Sequence, residues 1–471
     1  MTTVTGTRRG LRTLLLLCAV QFLDIVDSSI MNVALPSIRD DLGFTQQSLQ
    51  WVLSGYLVTY GGFLLLGGRA ADLLGRRRML VAGTALFAAC SLAGGLAASA
   101  GMLVAARVAQ GVGAALMAPA GLSILTTTFR EGRDRTRALG VWGAVSGVAS
   151  ATGVFLGGVL AEGPGWRWVL LVNPPVCAAI VLFAYRLVAA DPPRTSRGRF
   201  DAPGAVLATG GMLMLVFALV RAPEHGWGTA KTIGELATAG LLLAAFVVNE
   251  RRQRDPLFPF AILRVRGLAA ANLTQLAAFA GFLSMFFFLT LYMQNVLGFT
   301  PIRSGSAYLP VTAGIAIAAG LSTKLIPRVG TRAVIVAGAL LAAAGMIQFA
   351  RLPVAGTYLR DLLPGLMVMS LGLGAVFVTV TAAANAGVPA QQAGLAAGLL
   401  NTSLQLGSAV GLAVFSAIAT ARTTDLLAGG TPVPEALTGG FQRALLVAAV
   451  FVLAAAVIAL RATNTREGAT V

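Results

Sequence analysis

Two carboxylates and one guanidinium stand inside segments that are otherwise apolar. Asp24 and Asp27 lie in QFLDIVDSSIMNVALP, Gln21 to Pro36, and Arg107 opens RVAQGVGAALMAP. At the centre of a membrane helix an Asp costs about 3 kcal/mol on insertion scales. Such residues therefore default to function. Residues i and i+3 are neighbours on a helix surface, so the two acids share one face. Desolvation favours the neutral acid, and a nearby cation favours the carboxylate. A site that alternates between dry and wet, or between empty and cation-filled, therefore gains and loses a proton. If the substrate is a cation, proton and substrate compete for one carboxylate, and that competition produces exchange. The bland alternative is a buried ion pair that only fixes helix packing.

Other chemistries find no support. There is no Walker loop, no zinc ligand set, no Ser/His/Asp order and no ATP-binding domain. The expectation is a non-enzyme without cofactor or metal, driven by an ion gradient. Cys18, Cys90 and Cys177 fall inside apolar segments without metal or disulfide spacing, as small buried residues do. His225, the one histidine, sits in a polar stretch beside Pro223 and Gly226, a surface position rather than a relay position.

The elements that must position the acids are membrane helices. Of 471 residues, 56% are hydrophobic and 11% charged, with mean hydropathy +0.80. A soluble domain carries about 25% charged residues. Hydropathy and Gly/Pro punctuation predict an all-α polytopic membrane protein of fourteen spans. These are 11–36, 49–67, 78–98, 102–125, 138–161, 168–189, 203–221, 232–249, 268–293, 305–323, 332–351, 358–380, 394–420 and 441–461. The basic N-terminal run followed by LLLLCAV reads as the start of the first retained helix. No small-residue cleavage site follows it. Counting depth along the helices puts the Asp pair near the midplane or just outward of it, within reach of Arg107 if spans one and four face one cavity.

The net charge of +17 is explained by orientation. With fourteen spans, 25 Arg and Lys fall on the side of the termini, 9 on the other, and Arg107 lies within a span. Acidic residues divide 8 and 8, leaving Asp24 and Asp27 in the membrane. The positive side is the cytoplasmic one, so both termini are expected inside and no nucleic-acid partner is implied. A weak repeat relates GRAADLLGRRR, Gly68 to Arg78, to TKLIPRVGTR, Thr323 to Arg332. Aligning Gly75 with Gly330 gives an offset of 255 residues, which fits six spans plus an inserted pair. The predicted organisation is an N-terminal six-helix half over 1–190, two inserted helices with linkers over 191–264, and a C-terminal six-helix half over 265–471. Parallel halves of this kind are a transporter design. The inserted helices carry no acid-base pair and are expected to pack.

Three further stretches stand out. In the Gly68–Arg78 loop, the end glycines permit a tight turn. Arg76 to Arg78 can anchor to phosphates, and Asp72 can pair with one of them or with a helix N-terminus. The glycines of spans five (Gly143, Gly147, Gly153, Gly157, Gly158) and thirteen (Gly394, Gly398, Gly407, Gly411) allow close helix approach, for packing or for bending. Asn401 and Gln405 add polar groups to span thirteen. Span nine, FAGFLSMFFFLTLYM from Phe279 to Met293, suits lipid or core, with a share available to line an apolar substrate cavity.

Taken together, Asp27 through Asn32 to Pro36, the Gly68–Arg78 loop, Arg107 with Gln110 and Gly111, Gly153 with Gly157 and Gly158, and WRWVLLVNPP at 166–175 give a resemblance. The chain resembles the major facilitator superfamily, specifically its fourteen-span drug:proton antiporter branch, over nearly its whole length. The resemblance implies a multi-pass plasma-membrane exporter working by rocker-switch alternating access. Asp27 and Arg107 would take part in proton coupling, with Gln110 beside them. Gly68, Asp72, Gly75, Arg76 and Arg77 would form the cytoplasmic gate. Its partners would be protons, membrane lipid and a small-molecule substrate, the expected species an amphipathic, cationic drug or antibiotic handled by a monomer. A dedicated exporter or symporter of one endogenous metabolite is the alternative. Two departures are visible: Val154 stands where the antiporter motif usually has Pro, and Asp24 stands where the common pattern is apolar, which leaves it as a second proton or substrate site or as a partner of Asp27 sharing one proton.

Overall fold

The computed structural model describes residues 8–45, 47–129, 133–189, 201–253, 256, 260–265, 267–386, 388 and 393–465. Among them the chain makes fourteen helical passes. The first six are α1 (Arg8–Leu42), α2 (Trp51–Leu74), α3 (Arg76–Gly95), α4 (Ala100–Thr128), α5 (Arg133–Leu160) and α6 (Trp168–Leu187). An inserted pair follows, α7 (Ala202–His225) and α8 (Ala230–Arg252). The last six are α9 (Leu268–Asn295), α10 (Pro301–Val329), α11 (Thr331–Phe349), α12 (Tyr358–Asn385), α13 (Ala393–Ala428) and α14 (Val433–Ala459). Thirteen are long and apolar enough to cross a membrane; glycine-rich α5, which opens on Arg133, is the other pass.

The first bundle is knit by α3 and α2 against α4, α1 against α5, and α3 against α6. The second repeats that pattern with α11 and α10 against α12, α9 against α13, and α11 against α14. Two seams join the bundles, α2 to α13 and α5 to α10. Within the inserted pair, α7 packs on α8 and lies along both α2 and α13, while α8 remains largely exposed. Asp201 caps the start of α7 by accepting from the Gly204 N–H (2.9 Å), and Asn249 of α8 donates to both of its oxygens (3.0 Å each).

The turns at the repeat are shorter than the sequence suggests. The helix does not stop at Gly68: α2 runs on to Leu74, and α3 begins at Arg76. Only Gly75, at φ +108°, breaks the chain. A side chain rarely adopts that conformation, so one glycine makes the whole turn. Gly330, at φ +87°, does the same between α10 and α11. The two glycines aligned by the repeat therefore have the same structural task.

The apolar core includes most of span nine. Phe282, Phe287, Phe288 and Tyr292 are all buried, and Phe279 packs on Phe282 and Phe377. All three cysteines are buried and free. His225 lies partly exposed at the end of α7, between Arg221 and Lys231.

Candidate functional site

Glycines bring α1, α2, α4 and α5 close enough for their polar groups to meet. A Cβ at Gly111, next to Gln110, would strike Thr59 and the Tyr56 carbonyl on α2. The bare backbone instead lets the Thr59 hydroxyl donate to the Val108 carbonyl at 2.8 Å. On the other side of α1, Cβ atoms at Gly153 and Gly157 would lie 3.0 Å from the Val26 carbonyl and 2.6 Å from the Ile30 carbonyl. These glycines clamp α5 onto the turns of α1 that carry the acids. Gly158 faces elsewhere: its Cβ would sit 2.7 Å from the Ile302 Cα and the Pro301 carbonyl, across the seam to α10. Val154 joins that seam, its carbonyl 2.6 Å from where a Cβ on Gly305 would be.

Asp27 is fully buried and Arg107 is 1% exposed. Arg107 Nη1 donates to Asp27 Oδ2 at 2.7 Å and to Gln110 Oε1 at 2.7 Å. Gln110 Nε2 donates to Asp27 Oδ1 at 2.9 Å. Arg107 and Gln110 are one helical turn apart, so α4 presents a cation and an amide to one carboxylate. The guanidinium is held further by Nε donating to the Val52 carbonyl at 3.1 Å and by the Tyr56 ring, 4.3 Å from Cζ. Burying both charges is tolerable because the ion pair is hydrogen-bonded on every side but Arg107 Nη2.

Asn173 of α6 completes the cluster, donating to Asp27 Oδ1 at 2.7 Å and to Ser91 Oγ at 2.8 Å. Gln110 also donates to Ser91 Oγ at 3.1 Å. One carboxylate thus ties together α1, α4 and α6, with α3 behind them. Asn173 carries no sequence expectation, although WRWVLLVNPP contains it. Its signal was a lone amide next to a proline pair inside an apolar helix.

The two acids separate. Arg107 reaches Asp27 and not Asp24, contrary to the expectation that it serves the pair. The 60° between i and i+3 is enough to send Asp24 to α2. There the Tyr56 hydroxyl donates to Oδ1 and the Tyr60 hydroxyl to Oδ2, each at 2.9 Å. Asp24 is buried, at 6% exposure. Both tyrosines went unassigned in the sequence; their i,i+4 spacing in an apolar span reads equally well as core.

The expected gate residues are dispersed. Gly68 lies within α2, 3.8 Å by its Cβ position from Pro119, and Gly75 forms the turn. Arg77 binds within its own bundle, donating to the Val188 carbonyl at 3.2 Å with Tyr185 under its guanidinium. Arg76 stands half-buried at the start of α3. The side chain of Asp72 lies outside the described residues.

At the end of the molecule away from the termini, the bundles are latched. Glu162 accepts from the Ile302 N–H at 3.0 Å, and Gln294 of α9 donates to the Val33 carbonyl of α1 at 3.0 Å. Nearby, Asp41 binds Arg167 (2.6 Å) and the Trp166 indole (3.0 Å), closing the end of α1 onto the α5–α6 turn.

Comparison with known proteins agrees with this architecture. The family model described as Major Facilitator Superfamily matches residues 17–412. The cephamycin export protein of Amycolatopsis lactamdurans is 41% identical over 97% of this chain and 95% of its own. The puromycin resistance protein of Streptomyces alboniger is 40% identical over 93% of this chain and 87% of its own. Among solved structures, an auto-inhibited POT family peptide transporter superposes with TM-score 0.69 at 15% identity, covering 98% of this chain and 99% of that one. A bacterial homologue of the human lysosomal transporter Spinster, inward-facing and unoccupied, gives 0.67 at 18% identity, covering 96% and 97%. At those identities the structural likeness speaks for the fold.

Proposed function

For a chain that belongs to the major facilitator superfamily, and so is a multi-pass membrane transporter rather than an enzyme, we propose proton-coupled export of amphipathic, cationic drugs or antibiotics across the plasma membrane. The observation that carries this reading is the Asp27–Arg107 pair, the buried acid and base that join α1 to α4. The relatives named for cephamycin export and puromycin resistance support the direction and class of cargo.

The coupling follows from what each protonation state of Asp27 holds. As a carboxylate it accepts from Arg107, Gln110 and Asn173. Protonation removes the charge that Arg107 faces and turns one oxygen into a donor among donors. Breaking one side of a buried pair is worth about 3–5 kcal/mol. Moving a two-state equilibrium from 1:99 to 99:1 takes about 5.5 kcal/mol. A single proton at Asp27 is thus of the right size to bias alternating access. Gly153 and Gly157 seat this same stretch of α1 against α5, and α5 meets the other bundle through Gly158. That chain of contacts joins the acid to the latch.

In this reading the moving bodies are 1–190 and 265–471, with 191–264 riding in the α2–α13 seam. The basic side bearing both termini is cytoplasmic, and Gly75 with Arg76 and Arg77 serves the gate there. The working unit is a monomer in lipid. A second reading, export of one dedicated compound, is favoured by relatives each named for a single antibiotic. Growth inhibition across a compound panel, with and without the protein, separates the two: protection against many unrelated amphipaths supports the first, against one the second. In everted vesicles, a pH gradient should drive ethidium accumulation that stops when a protonophore is added. Accumulation that survives the protonophore contradicts proton coupling.

A further inference from the structure

Resting on that reading, we infer that Asp24, with Tyr56 and Tyr60, is the subsite that receives the positively charged group of the substrate, separate from the Asp27–Arg107 pair. The two acids differ in how their charge is balanced. Asp27 has a guanidinium at 2.7 Å. Asp24 is also buried, at 6% exposure, yet among the described residues no Arg, Lys or His lies within ion-pair distance of it. Two phenol hydroxyls each take one acceptor site, one per oxygen, and bring no positive charge, so acceptor sites remain for a further donor. A buried carboxylate so placed is complementary to a cation that arrives from outside the protein.

The surroundings fit an organic cation better than a metal ion. The walls are aromatic: the Tyr56 and Tyr60 rings meet edge-on, with centroids 5.7 Å apart. Aromatic faces beside a carboxylate recognise ammonium and other amphipathic cations. Among the described residues, the charged or titratable groups facing Asp24 are Tyr56, Tyr60 and Asp27, with Arg107 over the ring of Tyr56 and paired to Asp27.

The subsite also sits at the seam between bundles. Gly61, the residue after Tyr60, is packed on α13: a Cβ there would lie 2.9 Å from the Gln405 Cβ, in the seam where α2 meets α13. Substrate sites in transporters built of parallel halves lie near the midplane between them. A cation bound at Asp24 would therefore be read by both bundles, while Asp27 stays enclosed in the first.

The test is equilibrium binding of ethidium, a permanent cation, to the full-length protein in detergent, followed by fluorescence. Asp24→Asn should weaken binding by about tenfold or more, the usual loss for one charge-assisted contact. Asp24→Glu should restore most of it, and Tyr60→Phe should weaken it about threefold or more. Asp40→Asn, at an exposed acid on the same helix, should bind as wild type. If Asp24→Asn fails to fold, judged by its thermal transition, Tyr60→Phe decides. Unchanged affinity in Asp24→Asn, no rescue by glutamate, or no ethidium binding by the wild type overturns the inference. Gradient-driven export is measured in parallel. Loss of binding in Asp24→Asn alongside export that ignores the pH gradient would uphold the subsite and remove the proton-coupled reading.

Discussion

Adjacent glycines on α5 should do different things when given a methyl group. At Gly158 the new Cβ would lie 2.7 Å from both the Ile302 Cα and the Pro301 carbonyl, backbone atoms of the opposite bundle. Ordinary contact begins at 3.4 Å, so the seam must open by about 0.7 Å. Overpacking of this kind costs about 1–3 kcal/mol. Only the state with this seam closed bears that cost, so its population should fall about 5- to 150-fold relative to the open one. At Gly157 the Cβ would lie 2.6 Å from the Ile30 carbonyl on α1, inside the same bundle. That strain is present in both states. Gly157→Ala should lower the melting temperature and leave the equilibrium alone. Spin labels at exposed Leu96 and Leu359, on the latched end of the two bundles, report the separation. Pulsed dipolar spectroscopy should show a longer-distance population in Gly158→Ala and the wild-type distribution in Gly157→Ala. Equal shifts in the two variants, or none in Gly158→Ala, would refute the assignment of Gly158 to the moving seam.

Three more outcomes follow from the polar clusters. Arg107→Met leaves Asp27 buried without its cation and should destabilise the protein by about 3–5 kcal/mol; adding Asp27→Asn should recover much of this in thermal unfolding. Asn173→Ala removes one donor from Asp27 Oδ1, a contact to a charged group worth about 1.5–3 kcal/mol, and should shift the pH profile of transport while ethidium affinity changes little. Outside the membrane, burial pushes the Asp201 carboxyl up, but hydrogen bonds from the Gly204 N–H and with Glu250, Asn249 and Gln253 outweigh it and hold the group below its usual range. A depressed carboxyl contributes stability that is present above the unfolded value, about 3.9, and lost as pH falls through the folded one. Asp201→Ala should thus lower the melting temperature at neutral pH, with the difference from wild type shrinking on acidification below about pH 4.

The helical membrane architecture was legible because hydropathy is a property of whole segments. The Asp27–Arg107 pair was legible for a similar reason: charges in apolar helices are few, and rise per residue places them at matching depth. The partition of the two acids was not. Whether Asp24 turns to α4 or α2 depends on the rotation of α1, which the glycines of α5 set from a neighbouring helix. Tyr56, Tyr60 and Asn173 were hidden because a hydroxyl or amide in an apolar span has the same local pattern whether it packs or binds. Gly68–Arg78 looked like a loop because charge and glycine cluster there; the helix instead continues through it, and one residue at positive φ turns the chain. Gly153, Gly157 and Gly158 read as one motif, and only the packing shows two facing α1 and one facing α10.

The role of Asp27 as the coupling acid is decided by Asp27→Asn in proteoliposomes, with uphill uptake driven by a pH gradient and substrate-for-substrate exchange measured on the same preparation. Uphill transport should fall to background while exchange persists, since an amide can still bridge the helices but cannot carry a proton. Undiminished uphill transport in Asp27→Asn, still dependent on the pH gradient, would contradict it.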